Sequence, residues 1–131
     1  MFNFESQKGG SVKDNAILEK SFAFAVRVVR LYRYLCDEKK EYVLSKQLLR
    51  SGTSIGANIS EAQAGQSKND FIAKMSIASK EARESKYWID LLVATSYLGC
   101  DNAHTKSLII EINEISKLLT SIVKTSQMSR D

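Results

Sequence analysis

The chain has 131 residues, two cysteines, one histidine, no proline and a formal net charge of +4. That length suits a single domain with its own core, and the absence of proline removes the strongest helix breaker, which favours an all-α class. No apolar run approaches the roughly 20 residues of a membrane span, the opening MFNFESQKGG is too short and too polar for a signal peptide, and Cys36 and Cys100 lack a metal or redox spacing, so a cytoplasmic protein with reduced, partly buried thiols is expected.

Residues 1–11 read as an irregular arm whose Phe2 and Phe4 are candidates for docking on a neighbouring subunit. The first helix is expected to start near Ser11 or Asp14, either of which can cap it. Leu18, Phe22, Ala25, Val29, Tyr32 and Cys36 fall on one face and predict its core side, widened by Val26, Val28, Leu31 and Leu35. This is more apolar surface than one bundle seam needs, which suits association with another subunit. The run Asp37-Glu38-Lys39-Lys40-Glu41 reads as a solvated turn.

A second helix is expected from about Val43 to Ala64, with Leu44, Leu48, Ile55, Ile59 and Ala62 inward. Between them lie Ser51, Gly52, Thr53, Ser54, Gly56 and Ala57, and each glycine costs about 1 kcal/mol of helix propensity against alanine. Close approach of a neighbouring helix backbone is the expected compensation. A phosphate-cradling glycine loop is disfavoured, because the Gly-Lys-Ser/Thr ending and the preceding strand are both missing.

The connection Gln63–Ser67 is short, so the next helix should run antiparallel to the second. Ser67 and Asp70 make a variant of the capping box at its start. Phe71, Met75, Ala78, Ala82, Ser85, Ile89, Leu92 and Ser96 alternate steps of four and three, a heptad seam, and Ile77, Trp88 and Leu91 widen it. Gly99 is the expected stop. Asp101 or Asn102 then caps a fourth helix over about Ala103–Ser126. Leu108, Ile109, Ile112, Ile115, Leu119, Ile122 and Val123 point inward, and Ile110 and Leu118 are left on other faces. Residues 127–131 are expected to fray. The whole chain, 1–131, thus reads as one all-α domain, an antiparallel up-down-up-down four-helix bundle.

Little in this pattern supports catalysis. Asn58 and Glu61 share one helix face, and Glu81 and Glu84 another. Carboxylate-bridged metal bundles also need Glu-x-x-His pairs, and the lone His104 provides none, so neither a metal nor another cofactor is expected. Asn58, Glu61 and Glu84 read instead as a structural polar motif, with Asn58 and Glu61 paired with Arg83, Lys80 or backbone. His104 lies four residues from Cys100 across an expected helix boundary, without a third orienting group. An enzyme is not expected.

The basic residues offer the other option. The pI is about 9.1, compatible with nucleic acid or an acidic partner and also with an ordinary cytosolic surface. Lys20, Arg27, Arg30 and Arg33 stripe the first helix, Lys46 and Arg50 the second, and Lys74, Lys80, Arg83 and Lys86 the third. Arg27, Arg30, Lys46, Arg50 and Lys74 are the candidates for phosphate contacts, which would make binding fall steeply with salt. Tyr32, Tyr34 and Trp88 could stack on bases, although Trp88 reads better as core or interface.

The stretch Arg50–Leu92 also carries a resemblance. Arg50-Ser51, Ser54-Ile55, Asn58-Ile59 with Glu61, the Ser67-to-Phe71 helix start, and Ser76-Ile77-Ala78 followed by Glu84 resemble the bacterial four-helix-bundle proteins encoded in 23S rRNA intervening sequences. The accessory protein of diversity-generating retroelements is similar. The resemblance extends over roughly Leu18–Leu119. The chain departs from it at Ala62, where many relatives carry Gly, and at Gln66, where many carry Arg, which removes a basic group from the loop. The resemblance implies a basic homo-oligomer, a pentamer, that binds RNA or DNA. The broad apolar face of the first helix gives the alternative, a scaffold for a protein partner such as a reverse transcriptase or a ribosome-associated protein, with no direct nucleic-acid binding.

Overall fold

The computed structural model describes residues 12–129, with side-chain burial from residue 15; the expected arm at 1–11 and the last two residues of the tail lie outside the described residues. Four helices follow in order: α1 Val12–Asp37, α2 Leu44–Gln63, α3 Lys68–Ala94 and α4 Ala103–Met128. Each packs on its neighbour in sequence and α1 returns to α4, the up-down-up-down bundle expected from short connections. Helix α4 reaches two residues beyond the expected Ser126. No described helix is long and apolar enough to cross a membrane.

The core runs through Ile17, Phe24, Val28, Leu35, Leu48, Ile55, Ile59, Met75, Ile89, Leu92, Ile112, Ile115 and Leu119, each almost wholly buried. Burial of side chains this large is worth about 1.5–3 kcal/mol each, so the stripe a helix turns inward is a matter of many kcal/mol. For α4 and most of α3 that stripe is the expected one. On α3, however, Ile72 rather than Phe71 is buried and Ile77 stands 42% exposed instead of widening the core, and Ser96, expected to continue the seam, is exposed beyond the end of the helix.

Helix α1 corrects the expected register. Its buried positions are Ile17, Leu18, Ser21, Phe24, Val28 and Leu35. Leu18 is the member of the expected stripe that is buried, and Val28 and Leu35 are core, as expected of the residues that widen it. Beyond Leu18 the buried face lies one residue behind the stripe read from the sequence. Phe22 is 40% exposed, and Ala25, Val29, Tyr32 and Cys36 are half-buried. Both stripes alternate steps of four and three, and the true one carries a serine. Ser21 faces Gly56 of α2, where an added Cβ would lie in ordinary contact, 3.5 Å from the Ser21 carbonyl oxygen. The Ser21 hydroxyl donates to the Leu18 carbonyl at 3.2 Å, so the buried polar atom is satisfied.

The small residues of α2 do what was expected of them. Gly52 is buried against α1, where a Cβ would meet the Val28 methyl at 2.9 Å. On the α3 side, Ser85 Oγ donates to Ser51 Oγ at 2.9 Å. The helix-propensity cost of the glycine is offset by two close crossings.

Three chain reversals are built by specific groups. Glu41 was expected to be solvated; it is 7% exposed and its carboxylate accepts the backbone N–H of Val43, Leu44 and Ser45 at 3.1, 2.9 and 2.7 Å. It thereby caps α2, whose adjacent residue Val43 offers no side-chain cap. Ser67 accepts from Asp70 N at 3.1 Å and caps α3 as expected. Helix α3 stops at Ala94, earlier than Gly99 predicted, because Ser96 takes a left-handed φ of 69°. Tyr97 N then bonds to Leu92 O at 2.9 Å and Ser96 N to Val93 O at 3.0 Å, a Schellman ending closed by serine instead of glycine.

Candidate nucleic-acid interface

The expected phosphate-binding residues separate into two groups. Arg50 lies between two carboxylates of α3: Nη1 donates to Glu81 Oε2 at 3.1 Å and Nη2 to Glu84 Oε2. Glu84 Oε2 also accepts the indole N–H of Trp88 at 3.0 Å. The Trp88 bond, with the Arg50 bond and charge, outweighs partial burial and holds the Glu84 carboxyl below its usual range. The Glu84 bond in turn raises the Arg50 guanidinium above its ordinary value. Lys74 pairs with Glu61 across the hairpin at 3.6 Å. Arg27 donates to Ser107 Oγ and to His104 O, both at 3.1 Å, and lies 3.5 Å from Glu111 Oε2. These three cations are already engaged within the chain. Arg30 and Lys46 are exposed and enter none of the ion pairs among the described residues.

The polar motif does not assemble into one cluster. Asn58 Nδ2 donates to the Ser54 carbonyl at 2.8 Å, Glu61 turns to Lys74, and Glu81 and Glu84 converge on Arg50. Among the described residues, no group of three or more His, Cys, Asp or Glu is placed to hold a metal ion. Cys36 is a half-buried free thiol and Cys100 an exposed one.

A cleft of about 720 Å³ opens between α1, the α3–α4 connection and the start of α4. Arg27, Arg30, Lys39 and His104 line it, with Tyr34 and Tyr97, over Leu31, Leu98 and Leu108. No carboxylate is among the described residues lining it. Each wall follows from local structure. Arg27, Arg30 and Tyr34 stand three and four residues apart and so share one face of α1. Arg27 is held by its bonds to α4, which leaves Arg30 and Lys39 as the uncompensated charges. Lys39 arrives on the α1–α2 turn, where Lys40 adopts a left-handed φ of 55°. The Schellman ending of α3 delivers Tyr97 and Leu98. Asn102 Oδ1 accepts the N–H of His104 and Thr105 at 2.8 and 3.2 Å and fixes the start of α4, whose positive dipole end adds to the field.

Of the five expected contacts, the cleft gathers Arg27 and Arg30 and leaves Lys46, Arg50 and Lys74 elsewhere. Lys39 and Tyr97 were not singled out from the sequence. The spacing from Arg30 to Tyr34 was a signal; nothing local marked Lys39, because a turn with a left-handed residue sets its position.

A family model described as 23S rRNA-intervening sequence protein matches residues 13–121. Among solved structures, the chain is similar to a protein with unknown function from the S23 ribosomal protein family of Bacteroides thetaiotaomicron VPI-5482. The two share 53% sequence identity over 86% of this chain and 99% of that one, with a TM-score of 0.83. No curated protein matches. The likeness to retroelement accessory proteins has no counterpart in these matches.

Proposed function

The chain belongs to the 23S rRNA-intervening sequence protein family, and on that premise we propose that it is a non-enzymatic, oligomeric, cytoplasmic bundle that binds nucleic acid through backbone phosphates. The observation that carries this reading is the cleft, where Arg30 and Lys39 stand uncompensated beside Arg27 with no acidic group among the described lining residues. Such cations neutralise phosphates and release their counterions, so the slope of log affinity on log salt is about −0.9 per contacted phosphate on duplex DNA and −0.7 on single strands. A few contacts per chain bind weakly. A ring of subunits multiplies them.

Association is supported by the half-buried stripe that α1 carries beside its core face, Ala25, Val29 and Tyr32. The pentamer comes from the resemblance alone, and sedimentation of the wild type against Val29→Asp tests it. The same stripe favours a second reading, a scaffold for a protein partner such as a reverse transcriptase or a ribosome-associated protein.

Fluorescence-anisotropy titrations with short RNA and DNA, single and double stranded, at several salt concentrations separate the two readings. The expected result is binding with a steep negative salt slope, and a tenfold or greater loss in the double variant Arg30→Glu/Lys39→Glu. Binding and slope unchanged in that variant would overturn the cleft reading. No binding even at low salt moves the assignment to the scaffold.

A further inference from the structure

We infer that the cleft accepts one unpaired nucleotide of a single strand, with its base against Tyr34 and its phosphate on Arg30 and Lys39. This rests on the nucleic-acid reading above and adds the class of nucleic acid to it. A flat, solvated basic face would follow a duplex backbone without distinguishing it from a single strand. The site here is concave, and its volume of about 720 Å³ lies within the range of roughly 300–1,000 Å³ that accommodates small organic ligands.

Its chemistry is divided as a nucleotide requires. Cations stand on the α1 side and in the α1–α2 turn, while Leu31, Leu98 and Leu108 make an apolar floor. Tyr34 lines the cleft, is 44% exposed and belongs to no ring pair among the described residues, which makes its ring the stacking partner of the site. Tyr97 packs partly against the core and belongs to the floor. Asn102 Oδ1 is occupied by two backbone N–H groups, which leaves its amide nitrogen as a donor for a base carbonyl or a ribose oxygen. A base within a duplex reaches such a cleft only after unpairing and unstacking, which disfavours duplex binding there. Aromatic stacking accepts any base, so the expected preference is for strandedness and not for sequence.

The test compares a short fluorescein-labelled single-stranded RNA with its own duplex, for wild type, Tyr34→Ala, Tyr34→Phe and Arg30→Gln. Thermal melts confirm that each variant is folded. The single strand is expected to bind tighter than the duplex. Tyr34→Ala should weaken the strand about tenfold and leave the duplex unchanged, and Tyr34→Phe should restore the strand. Adenosine monophosphate should displace the strand better than adenosine or inorganic phosphate alone. If strand and duplex bind equally and Tyr34→Ala alters neither, while Arg30→Gln weakens both, the nucleotide site is overturned and the backbone reading stands. If neither ligand binds at low salt, both fall together.

Discussion

Where α2 meets α3, Ser51 and Ser85 approach closely enough for a hydroxyl–hydroxyl bond of 2.9 Å, and Arg50 is closed between Glu81 and Glu84. Where α1 meets α4, the helices hold a cleft, and Arg30 reaches it without a carboxylate among the described residues around it. The two regions use arginine oppositely. At the seam a guanidinium ties two helices and its charge is matched; at the cleft it remains available. Charge counted along the chain does not separate these roles, because the carboxylates that claim Arg50 lie on another helix.

Close packing of α2 can be broken most severely at Gly52, on the face it turns to α1. A Leu there would meet the Val28 methyls, and Gly52→Leu is expected to cost about 3 kcal/mol in denaturant unfolding. Adding Val28→Ala should recover part of that loss, a non-additive pair as contacting residues give. A glycine tolerant of Leu would mean that α1 and α2 do not cross so closely.

Glu41→Ala comes next, with about 2 kcal/mol expected at neutral pH, since three backbone donors lose their acceptor. Burial alone would raise the Glu41 carboxyl, but the N–H groups of Leu44, Ser45 and Val43 outweigh it and hold it below its usual value. A carboxyl lowered on folding contributes its full stability above the unfolded value of about 4.3, and the contribution vanishes as pH falls through the lower folded value. Denaturation midpoints across the acid range should therefore fall less steeply for Glu41→Ala than for wild type.

On the cleft side, Ser96→Gly should stabilise the fold by about 1 kcal/mol, because glycine adopts the left-handed φ without Cβ strain. The melting temperature should rise and the position of Tyr97 should hold. The smallest effect sharpens the contrast directly. Arg50 is half exposed, so Arg50→Gln should cost no more than about 1 kcal/mol and leave the salt slope of nucleic-acid binding intact. Arg30→Gln should leave stability intact and reduce that slope by about one phosphate. The reverse outcome would exchange the roles given to the two arginines.

Most of the fold could be read before the structure. Helix α4 and the Met75–Leu92 part of α3 declare their buried faces by period alone, and the Ser67 and Asn102 caps stand at predicted positions. Helix α1 did not, because two adjacent stripes carry the same period and the buried one includes Ser21. That serine packs against Gly56 of a different helix, which no window over α1 contains. Glu41 was illegible for a related reason: among charged neighbours it looks solvated, and only the return of the chain into α2 brings three N–H groups onto its carboxylate. The site was legible at Arg27, Arg30 and Tyr34, which one helix face displays, and illegible at Lys39 and Tyr97, which turns deliver.

By itself the sequence determined the number of helices, their antiparallel order and the need for close crossings at the glycines, because hydrophobic period, capping residues and short connections are local properties of the chain. Which stripe of α1 faces inward, which cations are neutralised and which gather in the cleft were decided by the tertiary structure. Volume complementarity and ion pairing are relations between helices, and they exist only once the helices have met.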